Sequence, residues 1–209
     1  MLYYDLYPQI LAFTTDRSVG RDPLLIRQAL NEASATDGAE AGLLYPHQIH
    51  SDRVMQISDD FFSLPEATQK ILLEGVDAVV SQARKVIIGV STADCIPVLV
   101  YDPAHHAAAA IHAGWRGTAR RIVQKAIDEM HIAFGTNPVD CKAVIGPGIS
   151  MDSFEVGDEV YASFVDARLL PNASYGEDAN ERLAKIYPAA EAPTEESRAA
   201  GVDKWHINL

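Results

Sequence analysis

The sequence predicts an α/β domain. Short apolar runs rich in Val, Ile and Ala, bounded by Gly and Pro, alternate with segments whose apolar residues recur at helical spacing. Two of these runs, Val86–Tyr101 and Ala107–Ile111, flank Asp102-Pro103-Ala104-His105, where Pro at the second position suits a tight turn. With 209 residues, 48% of them hydrophobic, the chain can bury a sizeable core, and it is expected to form a single domain over residues 1–209.

Taken in order, Gln9–Thr15 reads as a short strand, and Asp16–Asp22 as a polar loop containing Gly20. Pro23–Ala35 has helical spacing with Pro in the first turn. Leu43–Ile57 has strand composition broken by Pro46, and it carries His47 and His50, whose odd separation would send them to opposite faces of a regular strand. Ser58–Gly75 is polar and helical toward its end, and Val76–Ser81 is a short buried strand. Pro97 cannot donate to a ladder, so the first arm of the central hairpin is expected at a sheet edge or with a bulge. Thr118–Phe134 reads as one helix capped by Thr118 and stopped by Gly135–Pro138. Asp140–Ile145 is a strand that leads into the Gly146–Ser150 loop, and Asp158–Ala167 is a helix. The acidic stretch 171–200 offers few large apolar anchors and is expected to be a mobile excursion around one short helix. Val202–Leu209 is amphipathic.

Composition excludes several classes of partner. A net charge of −12 argues against a nucleic-acid or anionic-membrane surface. No apolar run approaches membrane-spanning length. No basic segment precedes an apolar one near the N-terminus, and two cysteines, Cys95 and Cys141, make a poor disulfide framework. A cytoplasmic location is therefore expected.

The chemistry concentrates around the hairpin. If the turn is tight, residues whose numbers sum to 207 face each other, which pairs Cys95 with His112. That pair is open to three readings: metal ligands, a Cys–His catalytic pair, or a buried cysteine beside a satisfied core histidine. With one histidine of Leu43–Ile57 added, His50, Cys95 and His112 suit Zn²⁺, and three protein ligands leave a fourth position open, as in catalytic sites. Copper fits less well, because a multicopper oxidase needs far more histidine than this chain's seven residues supply. Asp94 is expected to act as an acid or base only if the strand bulges beside Cys95. Arg116, after Gly114 and Trp115 and before Gly117, reads as an anion clamp, with Gly146, Gly148 and Ser150 as backbone partners for the same anion.

The blocks QIHSDRV (Gln48–Val54), DAVVS (Asp77–Ser81), GVSTADCIPVLVYD (Gly89–Asp102), AAIHAGWRGTA (Ala109–Ala119), VIGPGIS (Val144–Ser150) and FEVGDEV (Phe154–Val160) resemble, in the same order, the laccase-domain or multicopper polyphenol oxidase-like family. The resemblance implies a zinc-dependent purine nucleoside phosphorylase with adenosine deaminase activity. Its zinc ligands would be His50, Cys95 and His112, which selects His50 over His47. It further implies contact between Gln48 and substrate, with purine nucleosides and phosphate as partners. The implied fold is a layered α/β sandwich of mixed sheets covered by helices, similar to the catalytic domain of cytotoxic necrotizing factor deamidases. In two places the chain departs from the family. FTTDRSVG displaces Arg17 by one position from the family's site-lining arginine, and the chain ends at Leu209, where a further helix and strand are expected to be missing. Two readings stand beside this one: a metal-free Cys–His hydrolase with Cys95 as nucleophile, and a non-catalytic binding module stabilised by metal.

Overall fold

Alternation of buried side chains along one central strand organises the fold. The structure, a computed structural model, describes residues 1–8, 10–33, 41–170, 184–187, 195 and 204–209. Its first elements are β1 (Leu2–Tyr4), β2 (Ala12–Thr14), α1 (Pro23–Ala33), β3 (Gly42–Leu44) and β4 (Val54–Ile57). Next come α2 (Glu66–Leu73), β5 (Ala78–Ser81), β6 (Val86–Ile88), β7 (Ile96–Asp102), β8 (Ala107–Ala113), α3 (Trp115–Ala119) and α4 (Ile122–Phe134). The last are β9 (Lys142–Ile145), β10 (Glu155–Val156), α5 (Asp158–Asp166), β11 (Ala184–Tyr187) and β12 (Lys204–Ile207).

The main sheet has the order β4-β5-β8-β7-β9; its β4–β5 pair is parallel and the others are antiparallel. Strands β3 and β6 form a separate parallel pair, β1 and β2 an antiparallel one, and β10-β12-β11 a third small sheet. Along β8, Ala107, Ala109, Ile111 and Ala113 turn toward α4, where Ile122, Ala126 and Met130 cover them. Ala110 turns the other way, into a core with Leu44 of β3, Ile57, Phe61, Val76 and Val79. The result is helix, sheet and strand pair in layers, an α/β architecture with mixed sheets. The period-2 rule puts His112 on the same face as Ala110. A second core gathers Val156, Val160, Phe164, Trp205 and Ile207, with Trp115 packed against it.

Four expectations change. Val86–Tyr101 is two strands in two sheets, separated by residues 89–95, so Cys95 stands just before β7 rather than within it. The β7–β8 pairing sums to 209, placing Pro97 opposite His112, because the connection is a four-residue turn. Asp102 holds that turn by accepting the amides of Ala104 and His105, while His106 adopts a φ of 54°. A shift of two preserves parity, so the two sulfur- and nitrogen-bearing positions still share a face. Pro97 lies one strand in from the edge. There it costs the β7–β8 ladder nothing, because His112 turns its N–H away, to the Asp77 carbonyl at 2.8 Å. Finally, the helix expected at Thr118–Phe134 is split by Arg121 (φ 62°), and Thr118 lies inside α3, its N–H donating to Gly114 O. Gly135 stops α4 as expected, at a φ of 76°.

Of the acidic stretch 171–200, all but Ala184–Tyr187 and Glu195 lies outside the described residues. Within it β11 pairs with β12, and Ala184 is buried in the second core. Among the described residues no helix is long and apolar enough to cross a membrane.

Candidate metal centre

His112 is 3% exposed on β8 and sits directly across from Asp77, the residue that precedes β5. Its Nδ1 lies 2.7 Å from Asp77 Oδ1. A carboxylate partner makes Nδ1 the protonated nitrogen, so Nε2 faces away with its lone pair available. Asp77 itself is fully buried and does more than hold one ring. It accepts the backbone amides of Ile49 (3.1 Å), His50 (3.0 Å) and Ser51 (2.8 Å), and the Ser51 hydroxyl at 2.8 Å. Burial pushes its carboxyl up, but the hydrogen bonds from His112, Ser51 and Ile49 outweigh it and hold the group below the usual carboxylate range. One carboxylate thus orients the β8 imidazole and folds the loop that delivers the second.

That loop carries His50, which belongs to no strand and adopts a φ of 63°. Its exposed ring meets the His112 ring edge-on, with centroids 4.9 Å apart. Cys95 arrives on the 89–95 segment, which is clamped at both ends. The Gln48 side chain accepts from Ser91 N at 2.7 Å and donates to Ser91 O at 2.8 Å. Ile149 N donates to Asp94 O at 2.8 Å. Gly148 permits that contact, since a Cβ there would lie 2.3 Å from Ile96 Cδ1 and 3.0 Å from Asp94 O.

One ligand atom from each of His50, Cys95 and His112 falls within 4.8 Å of the others. A tetrahedral zinc ion sets its donors roughly 3.5 Å apart, so small side-chain rotations suffice to close the set around one ion. Gly114 keeps the space free, for a Cβ there would stand 3.0 Å from His50 Cδ2 and 3.1 Å from Cys95 Sγ. Two imidazoles and a thiol at this spacing can hold a metal. Among the described residues this is the one such group, which does not supply a multicopper cluster. Burial, then the charges of Asp94 and Asp77, push the Cys95 thiol up from its ordinary value. Without a cation it is therefore a poor nucleophile, although the Asp77–His112–Cys95 order resembles a triad.

The three donors line a cavity of about 370 Å³, within the size range of small-molecule sites. Gln48, Asp94 and Arg21 line it too. Asp94 is exposed in the loop ahead of β7, so strand alternation does not turn it away. Arg116 lies elsewhere: its guanidinium carbon stands 4.2 Å from the Trp115 ring centroid, and the residue is exposed and does not line the cavity. Gly146, Gly148 and Ser150 do not line it either; Gly148 packs beneath the Asp94 and Cys95 carbonyls. His47 lines the outer wall, with Nδ1 2.8 Å from Glu74 Oε1. Sequence reasoning overlooked Asp77 and Arg21. An acidic residue directly before a buried VV strand was a usable signal for the first. Nothing local in the sequence marked the second.

Residues 10–209 match the family described as multi-copper polyphenol oxidoreductase laccase. A purine nucleoside phosphorylase of Bacteroides thetaiotaomicron is 47% identical over 122 residues, covering 58% of this chain and 45% of that protein. Adenosine deaminase RL5, from an unknown prokaryotic organism, is 40% identical over 150 residues, 71% of this chain and 57% of that one. The chain thus spans about half the length of these curated relatives. The crystal structure of Bacillus licheniformis YfiH shares the fold, with a TM-score of 0.60 at 21% identity over 97% of this chain and 68% of that one.

Proposed function

From the premise that the chain belongs to the multi-copper polyphenol oxidoreductase laccase family, we propose that it is a zinc-dependent purine nucleoside phosphorylase. The observation that carries this reading is the His50–Cys95–His112 group within 4.8 Å, opening onto a cavity of nucleoside scale. The name of the Bacteroides relative supplies the reaction class. Zinc suits the donor set better than copper, because one thiolate with two imidazoles is a borderline-soft, closed-shell site with a position left open. When bound, the ion supplies a Lewis acid beside the substrate.

The protein's own groups then divide the work. Asp77 fixes the His112 tautomer and the His50 backbone, keeping two ligands in register. Gln48 has one amide hydrogen and one carbonyl lone pair left after its two bonds to Ser91, and these suit a ribose hydroxyl. Asp94 is the carboxyl at the cavity wall that can exchange a proton with the purine. In phosphorolysis a phosphate oxygen bonds to C1′ as the C1′–N9 bond breaks. The electron pair leaves on the purine, which takes up a proton at nitrogen.

A second reading, adenosine deamination, is favoured by the similarity to adenosine deaminase RL5. The two separate cleanly, because deamination consumes water and needs no phosphate. Elemental analysis of the purified protein, with chromatography of products from adenosine and inosine at several phosphate concentrations, tests both. Free base and ribose 1-phosphate appearing in proportion to phosphate support the first reading. A zinc-loaded protein that turns over neither nucleoside would overturn both.

A further inference from the structure

We infer that Arg21 is the anion-binding residue of this centre and that it takes the phosphate co-substrate; this rests on the phosphorolysis reading and adds its missing half. Phosphate carries two negative charges near neutral pH, and the chain's net charge of −12 repels it. Capture therefore requires a local cation. Of the residues lining the cavity, Arg21 alone is a lysine or arginine. Among the described residues it has no carboxylate partner, so its charge is uncommitted. Its planar fork of donors matches two phosphate oxygens at once.

The backbone fixes Arg21 at this place from both sides. Before it, Gly20 takes a φ of 55° and donates to Asp16 O at 2.7 Å, and Thr15 Oγ1 donates to Gly20 O at 2.9 Å. After it, Asp22 caps α1, accepting Leu24 N at 2.8 Å. The side chain then reaches the Tyr45 ring, its guanidinium carbon 5.9 Å from the centroid. Tyr45 is in turn wedged over Gly89, where a Cβ would lie 2.5 Å from the ring. Arg21 thus packs, through Tyr45, against the start of the 89–95 segment that ends at Cys95, and both residues line the cavity. Arg17, at the displaced family position, is exposed and outside the cavity, and Arg116 lies over Trp115.

The test is titration calorimetry of the zinc-loaded protein with inorganic phosphate at low ionic strength, with zinc content measured in every variant. Arg21→Gln should weaken phosphate binding at least tenfold, and Arg21→Lys less, because it keeps charge but loses the fork. Arg17→Gln and Arg116→Gln should bind phosphate as the wild type does, and all four variants should keep their zinc. Undiminished binding in Arg21→Gln, loss of binding in Arg116→Gln, or a wild type indifferent to phosphate would each overturn the assignment. Binding that follows Arg21 in a protein that cleaves no nucleoside upholds the anion site and removes only the reading of its reaction.

Discussion

Near each end of the β7–β8 hairpin a buried aspartate holds a histidine. At one end His112 Nδ1 lies 2.7 Å from Asp77, and at the other His105 Nδ1 lies 2.7 Å from Asp102. Both carboxylates are fully buried, and in both, hydrogen bonds outweigh burial to hold the carboxyl below its usual range. The pairs differ in what else they gather. Asp102 accepts the amides of Ala104 and His105 in its own turn and meets the Thr136 side chain beyond α4, and the His105 side chain is 40% exposed. Asp77 spends its bonds on residues 49–51, more than twenty-five positions away, and the His112 side chain is 4% exposed, facing two other donors. The same aspartate–histidine hydrogen bond anchors a turn in one place and is the keystone of a site in the other. The difference lies in what each carboxylate gathers, since Asp77 alone holds the loop that carries another metal donor.

Removing each carboxylate tests that contrast most severely. Asp77→Ala should strand a buried imidazole N–H and the amides of residues 49–51, at roughly 1–3 kcal/mol for each buried donor left unpaired. Asp102→Ala should cost less, because the imidazole it leaves is 40% exposed; denaturant unfolding reads both. Only the first should also lose the metal. Asp77→Asn, which keeps the shape, should retain the fold and bind zinc about 10–100-fold more weakly. Equal zinc affinity in the Asp77 and Asp102 variants would erase the distinction.

Cys95→Ser should lose zinc with little change in the metal-free stability, because the residue is only half-buried. In the wild type the thiol is raised and hence protonated at neutral pH, so zinc uptake must release that proton. Calorimetry in buffers of different ionisation heat should detect the release, and the serine variant should not show it.

Acid should act on both ends alike. A depressed carboxyl contributes stability that is complete above its unfolded value of about 3.9 and is lost as pH falls through the lower folded value. The metal-free protein should therefore weaken below about pH 4, and Asp102→Asn should show a shallower decline there, measured as unfolding free energy between pH 6 and 2. The smallest effect belongs to His47→Ala. That side chain is 68% exposed and bonded to an exposed glutamate, so zinc content should not change.

Much of this was legible in the residues themselves. The apolar period read over Pro23–Ala35 and Thr118–Phe134 anticipated α1 and α4, and the turn after Tyr101 anticipated the hairpin. The Cys95–His112 pairing followed from position parity, which survived a register error of two because side chains repeat every second residue, while the family resemblance selected His50 over His47. What stayed hidden was non-local. Nothing near Asp77 announces that β5 pairs with β8, since that contact joins strands thirty residues apart. The break at Arg121 was hidden too, because a left-handed arginine has no composition signal. Arg116 looked like a clamp because glycines flank it, yet it does not line the cavity and its guanidinium lies over the neighbouring indole.

His50 reaches the centre on a left-handed backbone, at a φ of 63°. For a residue with a Cβ that conformation costs on the order of 1 kcal/mol, and glycine would relieve it. Selection for thermal robustness alone would therefore favour glycine at position 50, and selection for metal chemistry favours histidine. The position is a trade-off written into a single dihedral: some resilience is forgone so that an imidazole can point inward.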